Sequence, residues 1–360
     1  MKKVLKEKDE IRKLQITGGS TYIISLPKRW VGRMGLTKGS KLILTKRDDG
    51  SILIVPENLK VYEKLSEATL LISPEEDVNS IIRKIVSSYL VGYNTIIVKT
   101  EKERIRLDQR DTIKSFVRKM LMGTEIISEL PNELVMKVLL SYPELSVQSA
   151  LKRMYIITAS MHKDAIEALK NLNKKLAREV IAMDDEVDRF GLYIIRQLKS
   201  AVQNENIIRE IGLSSGRDCL GYRLITKSVE RTADHAVIIA RNILMLREPL
   251  GGELFEQIKS MSKMSISVFN EAVESLFKRD FNLANSIVQR AKQIAAMERK
   301  LVEPILKVGK VRDVYMLSRI MESIRRTAEH ASDIAEIVLN LSVEQVIIHH
   351  QQPSKLNLHY

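Results

Sequence analysis

SVERTADHAVIIARNILML, residues 228–246, returns 95 positions later as SIRRTAEHASDIAEIVLNL, residues 323–341. Aligned without a gap, the two stretches share 10 of 19 residues. A second echo lies upstream, where AIEALKNLNKKLA at 165–177 pairs with AVESLFKRDFNLA at 272–284, at an offset of 107. The offsets differ by 12, which places extra chain in the first copy, in the connection NENIIREIGLSSGRD at 204–218. A unit of roughly a hundred residues is too long for a short solenoid repeat. It fits two copies of a small helical domain. Three helices are expected in each copy, over 148–170, 174–203 and 217–246, then over 255–278, 281–307 and 312–341. The third helix carries the apolar stripe Val229, Ala233, Ala236, Ala240 and Ile243, echoed by Ile324, Ala328, Ala331, Ala335 and Val338. Alanines in such a seam allow close helix approach. REPLGG at 247–252 separates the copies.

Working outward, the chain has 360 residues, 44% hydrophobic and 29% charged, a balance that argues against wholesale disorder. The single cysteine, Cys219, excludes an internal disulfide framework and reads as a buried spectator thiol. The start, MKKVLKEKDE, is charged with no apolar signal core, and no stretch approaches the ~20 apolar residues of a membrane span. The expectation is a cytoplasmic protein, not embedded in a membrane. Net charge is +13, and residues 1–60 hold 14 Lys/Arg against 6 Asp/Glu. Charge concentrated in this way points to a local task such as contact with nucleic acid, anionic lipid or an acidic partner. Lysine-rich N-termini also serve solubility.

Residues 8–58 read as short strands, TYIISL (21–26), KLILTK (41–46) and SILIVP (51–56), around one helical turn, KRWVGRMG. Asp49-Gly50 is a hairpin signal. Pro27 is expected to open the turn and Gly35 to stop it. Fifty residues of this kind make a small core, for which dimerisation is the natural remedy. The order GGSTYIISLPKRWVGRMGLTKGSKLIL resembles the SpoVT/AbrB swapped-hairpin domain, over about 45 residues. That resemblance implies an interlaced homodimer, in most members a DNA-binding one. The family's arginine after the first glycine and its basic helical pair are absent, since Ser20 and Val31-Gly32 stand there. Candidate phosphate-gripping residues are instead Arg12, Lys13, Lys28, Arg29 and Arg33, with Lys38 and Lys41 nearby. A dimerisation-only role stays open beside DNA binding.

Residues 60–145 are expected to form a small α/β domain in the order βαβαββ. TLLIS and NTIIVK read as strands, DVNSIIRKIVSSYLVG and DTIKSFVRKMLMG as helices, and TEIISEL and ELVMKVLLS as a hairpin about Pro131-Asn132. The stretch carries no phosphate-cradling glycine loop and no catalytic constellation, so spacing or positioning is its expected job. Gly18-Gly19-Ser20 is not a phosphate loop either, because no Gly-Lys-Ser/Thr opens a helix after it. Residues 342–360 read as a frayed tail.

Two acid pairs in the first helical copy share a face at i,i+4: Asp184 with Asp188, and Glu230 with Asp234. Unpaired like charges at that spacing repel by roughly 0.2–0.5 kcal/mol. A hard or borderline cation such as iron, manganese, magnesium, calcium or zinc would turn the repulsion into attraction. A solvated acidic face with Arg189 and Arg231 as neighbours is the alternative. ERTADHA and RRTAEHA, on tandem three-helix units spanning 148–341, resemble the PhoU family of phosphate-signalling regulators. The resemblance implies a divalent or trivalent metal on the acidic motifs, no enzymatic activity, and contact with a phosphate ABC transporter or an associated regulatory protein. An AbrB-like N-terminus fused to such repeats is similar to the archaeal PhoU-type regulators. The second copy departs: Ala291, Ala295 and Arg325 replace Asp184, Asp188 and Glu230, and only Glu329 matches Asp234. His235 and His330 are expected to pack or hydrogen-bond, and no histidine sits at ligand spacing in the acid motifs. The expected architecture is multidomain α+β: a swapped-hairpin β domain (8–58), an α/β middle domain (60–145) and all-α bundles (148–246 and 255–341).

Overall fold

The computed structural model of the chain describes residues 10–46, 50–57, 67–101, 103–139, 145–203 and 205–347. The Asp49 half of the expected hairpin turn, the start of the expected middle domain at residue 60 and the tail beyond residue 347 lie outside these residues. Two compact units divide between Lys64 and Leu65.

In the first unit, β1 (Gln15–Thr17) pairs antiparallel with β2 (Thr21–Ile23), and β3 (Leu42–Lys46) with β4 (Ile52–Pro56). Between the hairpins lies α1 (Lys28–Arg33). Gly18 and Gly19 both hold positive φ, which turns β1 back onto β2 without the steric cost a Cβ would bring. Pro27 sits one place earlier than expected, as the N-cap in extended conformation, and its carbonyl accepts from Trp30 and Val31. Gly35, at φ +64, ends the turn. Each two-stranded sheet is separate, and the side chains of Leu14, Ile16, Tyr22, Ile43, Leu44 and Ile52 are all more than half exposed. A lone hairpin of this kind is marginal in water.

The second unit opens with the order β5 (Glu67–Leu71), α2 (Val78–Val91), β6 (Thr95–Lys99), α3 (Leu107–Met120), β7 (Thr124–Leu130) and β8 (Glu133–Val138). The sheet runs β5-β6-β8-β7, parallel between β5 and β6 and antiparallel elsewhere. Asp77 caps α2 by accepting from the Ser80 amide at 3.0 Å, and Gly92 at φ +115 ends it. Ile81, Ile85 and Tyr89 of α2 and Ile113 and Val117 of α3 share one core with Ile96, Val98, Leu134 and Met136 of the sheet.

Six long helices follow: α4 (Val147–Asn171), α5 (Lys174–Gln203), α7 (Gly216–Met245), α8 (Gly252–Lys278), α9 (Phe281–Leu306) and α10 (Val311–Ser342). The first three pack together, as do the last three. The duplication extends to backbone detail. Among the described residues only Leu172 and Arg279 are non-glycine residues at positive φ, at 50° and 52°, and they stand 107 positions apart at the ends of α4 and α8. The following residues, Asn173 and Asp280, then accept from Leu176 and Leu283 to start α5 and α9. The extra chain of the first copy holds a short helix, α6 (Glu205–Glu210), and Ile208 on it and Ile211 and Leu213 after it are buried.

The expected alanine stripe is buried in both copies, and α7 packs against α10. At one end of this contact a Cβ on Gly221 would come within 3.0 Å of Leu341, while His235 and His330 stack at 5.5 Å between centroids further along. The two helices are therefore antiparallel. All six helices share one core. No helix among the described residues is long and apolar enough to cross a membrane.

Candidate functional site

Helix α5 turns Asp184 and Asp188 toward Glu230 and Asp234 on α7. Successive acids four residues apart project from one helix face, and α5 packs along α7. The four carboxylates feel one another. Partial burial, then Asp234 and Asp185, raise Asp184 to about 6. Partial burial, then Asp184, Glu230 and Asp234, raise Asp188 to about 7. Asp234, at the rim, is raised by lost solvation and then by Glu230. Counter-charges offset part of this repulsion: Lys227 reaches Glu230, Lys119 of α3 reaches Asp185, and Arg231 and Arg241 act on Asp234. Arg189, one of the expected screening neighbours, lies within 3.6 Å of Glu186. The sequence spacing pairs Asp184 with Asp188 and Glu230 with Asp234; Lys227, whose i,i+3 relation to Glu230 was visible, was missed.

Oxygen donors of concentrated negative charge suit a hard or borderline cation. Among the described residues no three acidic, histidine or cysteine side chains already converge on a single ion position. An ion would have to draw the carboxylates together.

The raised values carry a consequence for pH. Folded Asp184 and Asp188 titrate above the unfolded value of ~3.9, so folding takes up protons between about pH 4 and 7. Their ionisation therefore costs stability as pH rises through that window. His162 and His235, both depressed to about 4 chiefly by burial, act oppositely and favour folding as pH climbs from 4 toward ~6.5. An Asp184→Asn/Asp188→Asn variant isolates the carboxylate part. Without added metal it should be more stable than wild type at pH 8, by about 2 kcal/mol after discounting for solvent screening. The advantage should shrink toward zero as pH falls to 4. Identical urea midpoints at pH 8 would contradict the clustering.

The histidines are structural in their contacts. His162, fully buried on α4, donates from Nε2 to the Thr232 carbonyl at 2.7 Å and lies 3.4 Å from the Thr327 hydroxyl. His330 Nδ1 is 3.3 Å from Asp333, and His235 stacks on His330. No sequence periodicity marked His162, because its partners come from two other helices. Cys219 is buried and its thiol is pushed up by burial.

In the first unit Lys13, Lys28, Arg29 and Arg33 are exposed, the last three on α1. Arg12 is exposed as well and pairs with Glu10.

Residues 151–243 and 258–338 each match the PhoU domain family. The six long helices form tandem PhoU-like three-helix bundles. Residues 15–61 match the family described as antidote-toxin recognition MazE, bacterial antitoxin. The phosphate-specific transport system accessory protein PhoU homolog 1 of Thermotoga maritima is 25% identical over 203 residues, 54% of this chain and 84% of its own length. The homologous protein of Aquifex aeolicus is 27% identical over 164 residues, 44% of this chain and 70% of its own. A crystal structure of the phosphate transport system regulatory protein PhoU from Streptococcus pneumoniae aligns with 56% of this chain and 96% of its own, at 20% identity and a TM-score of 0.49. The PhoU matches fall on the duplicated helices, with ERTADHA on α7 and RRTAEHA on α10.

Proposed function

We propose that this chain regulates phosphate uptake as a homodimer, binding DNA through its N-terminal hairpins and reporting phosphate status through a metal-responsive first PhoU bundle. The observation that carries the reading is the cluster of four mutually repelling carboxylates on the bundle whose relatives are named for phosphate transport. Asp184, Asp188, Glu230 and Asp234 would hold the ion. A bound cation supplies positive charge that can recruit phosphate or lock α5 against α7. The protein partner in this reading is a phosphate ABC transporter or a regulatory protein attached to one.

Dimerisation is supported by the apolar side chains that the separate hairpins leave exposed, because a second copy would cover them. The same observation favours a second reading, a protein-only adaptor whose hairpins serve only to dimerise. Elemental analysis tests the metal. The wild-type chain should carry metal and an Asp184→Ala/Glu230→Ala variant should lose it while keeping its helical circular dichroism. Unchanged metal content in that variant would remove these residues from the assignment.

A further inference from the structure

The second bundle solves the same electrostatic problem by other means. At the position of Glu230 it has Arg325, and Ala291 and Ala295 stand where Asp184 and Asp188 do. A further exchange appears only in three dimensions. Gly191 on α5 lies opposite Glu230, so that a Cβ there would come 3.9 Å from the Glu230 carboxylate. Its equivalent on α9, 107 positions on, is Glu298. The Arg325 Nε lies 2.7 Å from Glu298, and the same guanidinium binds Glu329, the counterpart of Asp234. Arg326 approaches Glu329 from the other side at 2.8 Å. Carboxylate-facing-glycine in the first bundle has become guanidinium-facing-carboxylate in the second. The paired exchange leaves a cation held between carboxylates from α9 and α10.

We infer that the Arg325 guanidinium is a built-in replacement for the ion of the first bundle, so that the second bundle is permanently set and only the first responds to metal. This rests on the metal reading proposed above for the first bundle. A guanidinium carries its charge at every physiological pH and cannot be removed by a chelator. It joins the third helix of the bundle to the second, as an ion shared by Asp184 and Glu230 would join α7 to α5.

The test uses the full-length chain with Asp184→Ala/Glu230→Ala already in place, so that the first bundle contributes no site of its own, and Mn2+ as probe. Adding Arg325→Glu would set a third carboxylate beside Glu298 and Glu329. This variant should melt lower than its background without metal and recover when Mn2+ is added, binding a further equivalent per chain. Arg325→Met, which only removes the charge, should also melt lower and regain part of the loss with millimolar Mn2+. It keeps the question answerable if the glutamate variant fails to fold. The inference is overturned if neither variant is stabilised by Mn2+ beyond its background. Should the background itself still bind Mn2+, the first-bundle assignment fails, and the gain over background still judges Arg325.

Discussion

Raising salt from about 50 to about 200 mM should weaken binding of duplex DNA to the full-length protein by about two to four orders of magnitude. Each phosphate neutralised contributes about −0.9 to the logarithmic slope, through release of condensed counterions. A homodimer presenting Arg12, Lys13, Lys28, Arg29 and Arg33 twice would make about four to eight such contacts, for a slope near −4 to −7. Lys28 and Arg29 are the residues to change. Both are exposed in the first turn of α1, off the strands that build the hairpins, and neither has an ion-pair partner among the described residues. Arg12 is the weaker candidate, since Glu10 already takes part of its charge. Lys28→Ala/Arg29→Ala should remove about four contacts per dimer and flatten the slope by about 3 to 4 without dissociating it. Titration by fluorescence anisotropy at two salt concentrations measures both numbers. A wild-type protein that dimerises yet binds DNA no better at low salt than at high salt would make the hairpins a dimerisation device, and the adaptor reading would replace the DNA-binding one.

The second large effect is expected at Arg196, a residue with no signal in the sequence. It sits on α5, is almost fully buried, and reaches across to the end of α2. Its guanidinium donates to the carbonyls of Tyr89, Gly92 and Tyr93, the last at 2.9 Å, and to the Asn94 side chain at 2.8 Å, while lying 4.8 Å from the centre of the Tyr89 ring. These carbonyls are the unsatisfied negative end of a helix, where a cation is most favourable. These carbonyl and amide dipoles stabilise the buried charge. Arg196→Met keeps most of the volume and removes every donor. It should cost about 3 kcal/mol, because the buried acceptors lose partners that water cannot replace. Hydrogen exchange locates the loss. Amides of α2 and β6 should exchange about 100-fold faster, while α9 and α10 are unaffected. Uniform change across the chain, or none, would show that Arg196 does not hold the sheet to the bundle. The neighbouring Lys119–Asp185 pair makes the same connection one residue from Asp184, so α5 carries both the candidate metal site and the seat of the α/β layer.

The helices were legible because the stripe Val229, Ala233, Ala236, Ala240, Ile243 repeats at helical period, although α3 starts at Leu107, four residues before the expected Asp111. β1 was missed. Gln15–Thr17 is three residues with no alternation to read, and its strand character comes from pairing with β2 across the Gly18-Gly19 turn. Pro27 fell one position off because proline's fixed φ suits both the first helical residue and an extended cap. Helix α6 hid inside the connection at 204–218, because its six residues are too short a span for periodicity to register. The acid cluster was readable as spacing, but the paired exchange of Gly191 for Glu298 was not, since it relates different helices.

Local chemistry in the chain by itself determined the duplication, the six helices, the order of strands and helices before them, and which faces carry acid or base. Apart from the duplication, which is read by comparing stretches 95 and 107 residues apart, each of these follows from residues within about one turn or one hairpin of one another, where backbone geometry couples side chains directly. Tertiary structure alone decided the sheet order β5-β6-β8-β7, the antiparallel meeting of α7 and α10, the seating of Arg196 on the end of α2 and the bridge from Arg325 to Glu298. Apart from the β7–β8 hairpin, these join residues about 27 to 120 positions apart. Their pairing depends on which surfaces exclude water together and which buried charges then find partners, and no periodicity along the chain encodes that choice.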